Sequence, residues 1–63
     1  MPEVYVHAVK GRTLEQKRAL MKDITDAVVK NFSVPVEAVL VEFVEAEPTD
    51  KAKGGVFFSE MRR

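Results

Sequence analysis

Cysteine and histidine, the side chains most often used for covalent catalysis and transition-metal binding, are nearly absent from this 63-residue sequence. The sequence has no cysteine, which excludes disulfides and thiolate metal sites. His7 is the single histidine, so a metal site built from several histidines is excluded as well. The remaining candidates are carboxylates, lysines and arginines, among them Arg12. Arg12 is suited to binding a carboxylate, because a planar guanidinium can donate two hydrogen bonds to it.

The charged residues are balanced in number but unevenly distributed. Ten basic and ten acidic residues give a formal net charge of zero, which provides no general attraction for nucleic acid or an anionic membrane. An acidic stretch in the second half of the chain precedes four basic residues. The acidic residues are Glu37, Glu42, Glu45, Glu47 and Asp50, and the basic residues are Lys51, Lys53, Arg62 and Arg63. This pattern is typical of a solvated surface with subunit contacts.

The sequence also lacks the features of an exported or membrane-spanning protein. Its amino terminus is polar within the first few residues, unlike a signal peptide. No apolar run approaches the roughly 20 residues that a membrane-spanning helix needs. We therefore expect a cytoplasmic protein with no membrane partner.

The hydrophobic pattern predicts two strands, at Glu3–Val9 and at residues 39–44. Both faces of the first strand are largely apolar, which indicates a strand covered on both sides. A helix between two strands favours parallel pairing with a right-handed crossover. A loop at residues 48–55 and a brief strand at residues 56–58 are expected to follow. The fold class is therefore α/β (α+β), a single βαβ domain over residues 1–63.

The connecting helix is predicted from about Leu14 to about Phe32. Apolar residues at helical spacing form one stripe along this segment, with charged residues on the other side. Thr13, followed three residues later by Gln16, matches a capping box at the helix start. Pro35 disfavours helical geometry in the residue before it, so the helix ends earlier.

So short a chain cannot cover its own apolar surface. A domain of about 60 residues buries only about 60% of its unfolded surface, and 46% of these residues are hydrophobic. Small domains without disulfides or a metal generally need partner subunits. The predicted helix can cover one face of a two-stranded sheet, while the other face and residues 56–58 need a second copy. We therefore expect an oligomer that completes the sheet.

Several short motifs, in their order and spacing, resemble the 4-oxalocrotonate tautomerase family. They are Met1-Pro2, the first strand, Gly11-Arg12-Thr13, Glu15-Gln16-Lys17, the break at Pro35, the second strand and Gly54-Gly55. Together they extend over nearly the whole chain, and the run at residues 11–17 after a Met-Pro start is the most specific part. The resemblance implies a βαβ subunit that forms dimers and homohexamers. It also implies an isomerase that interconverts enol and conjugated keto acids and needs no cofactor.

The resemblance assigns roles to two residues. Pro2 corresponds to the amino-terminal proline that acts as general base once the initiator methionine has been removed. A free α-amino group has a pKa of about 7.7–8.0 in model compounds. An apolar pocket and a nearby arginine lower such a pKa toward neutrality, where a general base works best. Arg12 corresponds to the residue that binds the substrate carboxylate and draws electron density from the reacting centre.

Two further substrate-binding positions depart from the family pattern. Leu40 stands where many members have an arginine that polarises the substrate carbonyl, and Lys51 stands where many have an aromatic residue. Lys51 or Lys53 could supply the missing positive charge, the alternative being that both are solvated loop lysines. These departures argue against 2-hydroxymuconate as the physiological substrate but leave the base in place.

Two alternatives to a simple enol-acid tautomerase remain open. The first keeps the family but changes the reaction to decarboxylation or hydration, for which relatives generally need additional acidic or arginine residues. The second is a non-catalytic accessory subunit of a mixed tautomerase-like oligomer, as the absence of an arginine at Leu40 would allow. The interpretation we favour is the enzyme, acting on a small enol or keto acid.

Overall fold

The computed structural model describes residues 1–61 and contains a strand, a long helix and a second strand, followed by a small hairpin. Strand β1 is Glu3–Val9, helix α1 is Leu14–Phe32 and strand β2 is Leu40–Ala46. The two strands are parallel neighbours, paired from Glu3 opposite Leu40 to Val9 opposite Ala46. The predicted βαβ unit with parallel strands is confirmed.

The second strand begins and ends later than the sequence predicts. Val39, predicted as its first residue, instead ends a short 3-10 helix at Val36–Ala38. The Val39 N–H donates to the Val36 carbonyl at 3.2 Å, so it is not available to a strand. At the other end β2 continues to Ala46, which pairs with Val9. A strand extends where its neighbour offers backbone partners, so the length of β1 determines where β2 ends.

Helix α1 begins at the predicted capping box. The Gln16 N–H donates to Thr13 Oγ1 at 3.1 Å, and the Thr13 N–H donates to Gln16 Oε1 at 3.0 Å. After Phe32 the chain turns through Ser33, whose φ of 56° is left-handed and whose N–H donates to the Val29 carbonyl at 3.0 Å. Both helix ends are therefore specified by local interactions. Within the described residues, no helix has the length and hydrophobicity needed to cross a membrane.

A hairpin follows β2 where the sequence predicts a loop and one brief strand. Its antiparallel strands are β3, Ala52–Lys53, and β4, Val56–Phe57. The two residues between them, Gly54 and Gly55, have φ values of 61° and 83°. Positive φ at both central residues is what a two-residue type I′ turn requires, and glycine adopts it without strain. Short 3-10 helices flank the hairpin at Pro48–Asp50 and Phe58–Glu60.

The two faces of the β1–β2 sheet differ in what covers them. Helix α1 lies over one face, where Lys17 reaches Glu45 at 2.9 Å and lies over the ring of Phe43. On the opposite face Tyr5 is 48% exposed and Val44 is 39% exposed. The prediction that β1 is covered on both sides is therefore not met within one chain, because a single helix can cover only one face.

Residues 1–61 form an extended structure without a closed interior. No side chain among residues 1–61 is fully buried. The radius of gyration is 14.7 Å, whereas a compact domain of this length has about 10.6 Å. The accessible surface is 5122 Å², against about 4,100 Å² for a folded monomer of this mass. Exposed apolar side chains occur on the bare sheet face and the hairpin, among them Tyr5, Val44, Val56 and Phe57, which is consistent with the expected self-association.

Candidate functional site

An open groove of about 720 Å³ lies where β1 ends and the chain turns toward α1. One wall is the end of β1 with the turn that follows it, and the other is formed by the segments on either side of the hairpin. The lining residues are His7, Ala8, Val9, Lys10, Arg12, Pro48, Lys51, Phe58, Ser59 and Met61. Cationic and apolar side chains alternate around it, which suits a small organic anion.

Three cationic side chains line the groove, and they differ in their partners. The Lys10 ammonium is 2.7 Å from a Glu47 carboxylate oxygen. The hydrogen bond and the charge of Glu47 raise the pKa of Lys10 above its ordinary value. Arg12 and Lys51 form no ion pair with any residue in the described part of the chain. The groove therefore has two positive charges that no carboxylate of residues 1–61 neutralises.

The backbone holds Arg12 at the mouth of the groove. Gly11 before it has a φ of 137°, a conformation that L side chains rarely adopt. Thr13 after it is the N-cap of α1, anchored by both hydrogen bonds of the capping box. The Arg12 side chain itself is exposed. Its backbone is thus fixed on both sides while its guanidinium is free to bind a ligand.

Lys51 is held by contacts within its own segment. Its Nζ lies 5.9 Å from the centroid of the Phe58 ring, within the range of a cation–π contact. The Phe58 N–H donates to the Lys51 carbonyl at 2.8 Å, which ties the two backbones together. The Lys51 side chain is half-buried, whereas Lys53 in β3 is exposed and does not line the groove.

Pro2 and Leu40 lie at the opposite end of the sheet. The Leu40 N–H donates to the Pro2 carbonyl at 3.0 Å, so the two residues are neighbours. The groove is lined by the last three residues of β1, but the whole strand, Glu3–Val9, separates Pro2 from the turn that carries Arg12, a distance of about 23 Å at the usual rise of a strand. Within one chain the four predicted site residues thus form two pairs, Pro2 with Leu40 and Arg12 with Lys51.

Some groove residues were not identified as site residues from the sequence. Phe58 belongs to the segment, residues 56–58, that is expected to need a second copy of the chain, yet its ring lies beside Lys51 in the groove. Lys10 and Ser59 carry no sequence signal beyond the proximity of Lys10 to Gly11-Arg12. Within residues 1–61 no cluster of three or more histidine, aspartate or glutamate side chains is placed to hold a metal ion.

The bare sheet face carries polar groups as well as apolar ones. The Tyr5 hydroxyl donates to a carboxylate oxygen of Glu3 on the same face. This hydrogen bond, followed by the charge of Glu3, raises the pKa of the Tyr5 hydroxyl. Since Tyr5 pairs with Glu42 across the strands, the face mixes carboxylates with Leu40 and Val44, as a partly polar subunit interface does.

Comparison with known proteins agrees with this fold. The family model described as tautomerase enzyme matches residues 2–61. A probable tautomerase of Bradyrhizobium diazoefficiens is 48% identical over 60 residues, which cover 95% of this chain and 90% of the relative. These matches extend over the sheet, the helix and the hairpin alike.

Solved structures give the same result in three dimensions. A crystal structure of a 4-oxalocrotonate tautomerase homologue matches with a TM-score of 0.91 and 32% identity, covering 100% of both chains. A heterohexameric 4-oxalocrotonate tautomerase from Chloroflexus aurantiacus matches with a TM-score of 0.87 and 31% identity, covering 98% of this chain and 100% of that one. The resemblance inferred from the motifs is confirmed, and the chain belongs to the tautomerase family, with the fold of the 4-oxalocrotonate tautomerases.

Proposed function

We propose that the chain is a cofactor-independent tautomerase that interconverts the enol and keto forms of small carboxylic acids. Membership of the tautomerase family supports an isomerase. The observation that carries the proposal is the groove with two unneutralised cations, Arg12 and Lys51, because such a groove favours an acid as its ligand. Arg12 binds the substrate carboxylate with two hydrogen bonds.

The catalytic base is Pro2 of a second copy of the chain. Within one chain β1 separates Pro2 from Arg12 by about 23 Å, and no small enol acid can contact both. A second copy can bring its Pro2 to the groove of the first. Self-association is supported by the exposed apolar side chains on the sheet face opposite α1 and by a structural relative that is a heterohexamer.

Proton transfer requires the free secondary amine of Pro2. While Met1 is attached, the Pro2 nitrogen is an amide and has no basic lone pair. Met1 is 83% exposed, so it is accessible to an aminopeptidase. The freed amine removes the proton from the enol hydroxyl, and the resulting ammonium returns a proton to the neighbouring carbon. The enol oxygen becomes the carbonyl oxygen and the amine is regenerated.

The test is ketonisation of phenylenolpyruvate, followed by ultraviolet absorbance, on protein whose mass shows that Met1 is absent. We expect a rate above buffer, and a loss of at least about a hundredfold in Pro2→Ala, as removal of a general base gives. Gel filtration should show the same oligomer for both proteins. Equal rates in the wild type and Pro2→Ala would rule out the proposed mechanism.

A second candidate function is that of an accessory subunit in a mixed oligomer. The observation that favours it is Leu40, an apolar side chain beside Pro2 where many family members have an arginine. The heterohexameric relative offers a precedent for two kinds of subunit in one tautomerase. Native mass spectrometry of the purified chain separates the two: a stable homohexamer supports the enzyme, and a chain that forms no stable homohexamer without a second kind of subunit supports the accessory role.

A further inference from the structure

Lys51 differs from the paired lysines of the described chain in what its ammonium group contacts. Three lysines are paired with carboxylates at 2.7–2.9 Å: Lys10 with Glu47, Lys17 with Glu45 and Lys22 with Asp26. Lys51, like Lys17, lies over an aromatic ring, but it has no carboxylate partner among residues 1–61, and it is half-buried inside the groove. A cation at such a position, with no carboxylate of residues 1–61 beside it, is available to a bound anion.

The contacts of Lys51 hold the ammonium group without using all its donors. The Phe58 ring attracts the ammonium through its face at 5.9 Å, and an ammonium has three N–H donors. The hydrogen bond from the Phe58 N–H to the Lys51 carbonyl keeps these two residues side by side. Donors of Lys51 therefore remain for a ligand in the same groove as Arg12.

We propose that Lys51 is a second substrate-binding cation, which donates a hydrogen bond to the enol oxygen while Arg12 binds the neighbouring carboxylate. This inference rests on the proposed function and adds to its site a second residue that contacts the substrate. In the enol of a 2-oxo acid the carboxylate and the reacting oxygen are on adjacent carbons. Arg12 and Lys51 line the same groove, so that groove offers one cation for each of these two groups.

The role of Lys51 follows from where charge develops during the reaction. When Pro2 removes the enol proton, the electron pair spreads over the oxygen and the β-carbon. The ammonium of Lys51 stabilises the negative oxygen and keeps its own protons. Proton delivery to the β-carbon from the Pro2 ammonium then forms the carbonyl. Donors fixed at a developing oxyanion lower the barrier more than they strengthen ground-state binding.

The experiment compares Lys51→Met with Lys53→Met, a matched variant two residues away that lies outside the groove. With phenylenolpyruvate, we expect Lys51→Met to lower kcat by about tenfold to a hundredfold. Its KM should change by less than about threefold, because the lost interaction belongs to the transition state. Lys53→Met should behave as the wild type, and Lys51→Arg should recover most of the rate.

The outcomes distinguish this inference from the proposed function. If Pro2→Ala is inactive but Lys51→Met equals the wild type, the inference is overturned and the function stands. If Lys51→Met and Lys53→Met lose activity equally, the role of Lys51 is also overturned. A Lys51→Met variant that raises only the KM for a dicarboxylic enol acid would place the distal carboxylate at Lys51, contradicting the oxyanion role. A wild type with no rate overturns the proposed function itself.

Discussion

The two ends of the β1–β2 sheet carry different halves of the proposed chemistry. At the amino end Pro2 lies beside the apolar Leu40, and at the carboxyl end Arg12 and Lys51 line a cationic groove. One end offers a base without a binding group, and the other offers binding groups without a base. In a chain this short, the length of one strand separates the proposed base from the proposed binding groups, so the proposed site requires at least two subunits.

The strongest test of this comparison is complementation between two inactive variants. Co-expression of Pro2→Ala with Arg12→Ala creates oligomers in which some sites combine an intact Pro2 from one subunit with an intact Arg12 from another. For random mixing of subunits in a symmetric oligomer, we expect roughly a quarter of the wild-type activity. The measurement is phenylenolpyruvate ketonisation by the purified mixed oligomer, whose composition is checked by native mass spectrometry.

The control is a mixture of the two variants purified separately and combined just before the assay, which should remain inactive until subunits exchange. If co-expressed oligomers contain both variants but have no more activity than either alone, the two ends do not meet in one site. The base and the carboxylate-binding residue would then have to be sought at the same end of the sheet.

The Arg12→Ala variant alone tests whether the carboxyl end of the sheet binds the substrate carboxylate. Loss of hydrogen bonds to a charged group costs about 1.5–3 kcal/mol, so we expect KM for an enol acid to rise by about tenfold to a hundredfold. Lys10→Met is the matched control, because Lys10 lines the same groove but is paired with Glu47 in an exposed ion pair. A larger effect from Lys10→Met than from Arg12→Ala would contradict the assignment.

Leu40→Arg tests the amino end by adding the cation it lacks. We expect kcat/KM for 2-hydroxymuconate to rise by about tenfold, because a positive charge beside Pro2 can polarise the substrate carbonyl. Leu40→Met, of similar size and without charge, should leave the rate unchanged. An equal response of the two variants would show that the charge at this position is irrelevant to the reaction.

The smallest predicted effect concerns Thr13, the N-cap of α1 next to Arg12. Thr13→Ala removes the N-cap acceptor of α1 and should lower the free energy of unfolding by about 1 kcal/mol. Thermal unfolding at fixed protein concentration measures this loss, and Thr13→Ser, which keeps the hydroxyl, should show much less of it. Since Thr13 fixes the backbone beside Arg12, a small rise in KM should accompany the loss of stability.

The parts of the fold that depend only on residues close together in the sequence were predictable. The start of α1 follows from Thr13 and Gln16, whose side chains complete a capping box within one turn. The end of β2 was not predictable, because it depends on pairing with β1, more than thirty residues away in the chain. The turn at Gly54-Gly55 did carry a recognisable hairpin signal, but the strands beside it are only two residues long.

The candidate site also has residues that the sequence predicts and contacts that it does not. The motif around Arg12 and the Met-Pro start suggested Pro2 and Arg12 without any structure. The sequence could not show which groove lysine has a carboxylate partner, because Glu47, which pairs with Lys10, is 37 residues away from it in the chain. The aromatic contact of Lys51 likewise depends on how the chain returns after the hairpin.

Because no side chain among residues 1–61 is buried, we expect the stability of the folded chain to depend on protein concentration. For such a chain the folded state is favoured by mass action, and dilution weakens it even when temperature and solvent stay constant. Specific activity should therefore fall below a threshold concentration, and solitary chains should be cleaved by proteases before they find partners. Newly made subunits would be protected only when synthesis is fast enough for association to precede degradation.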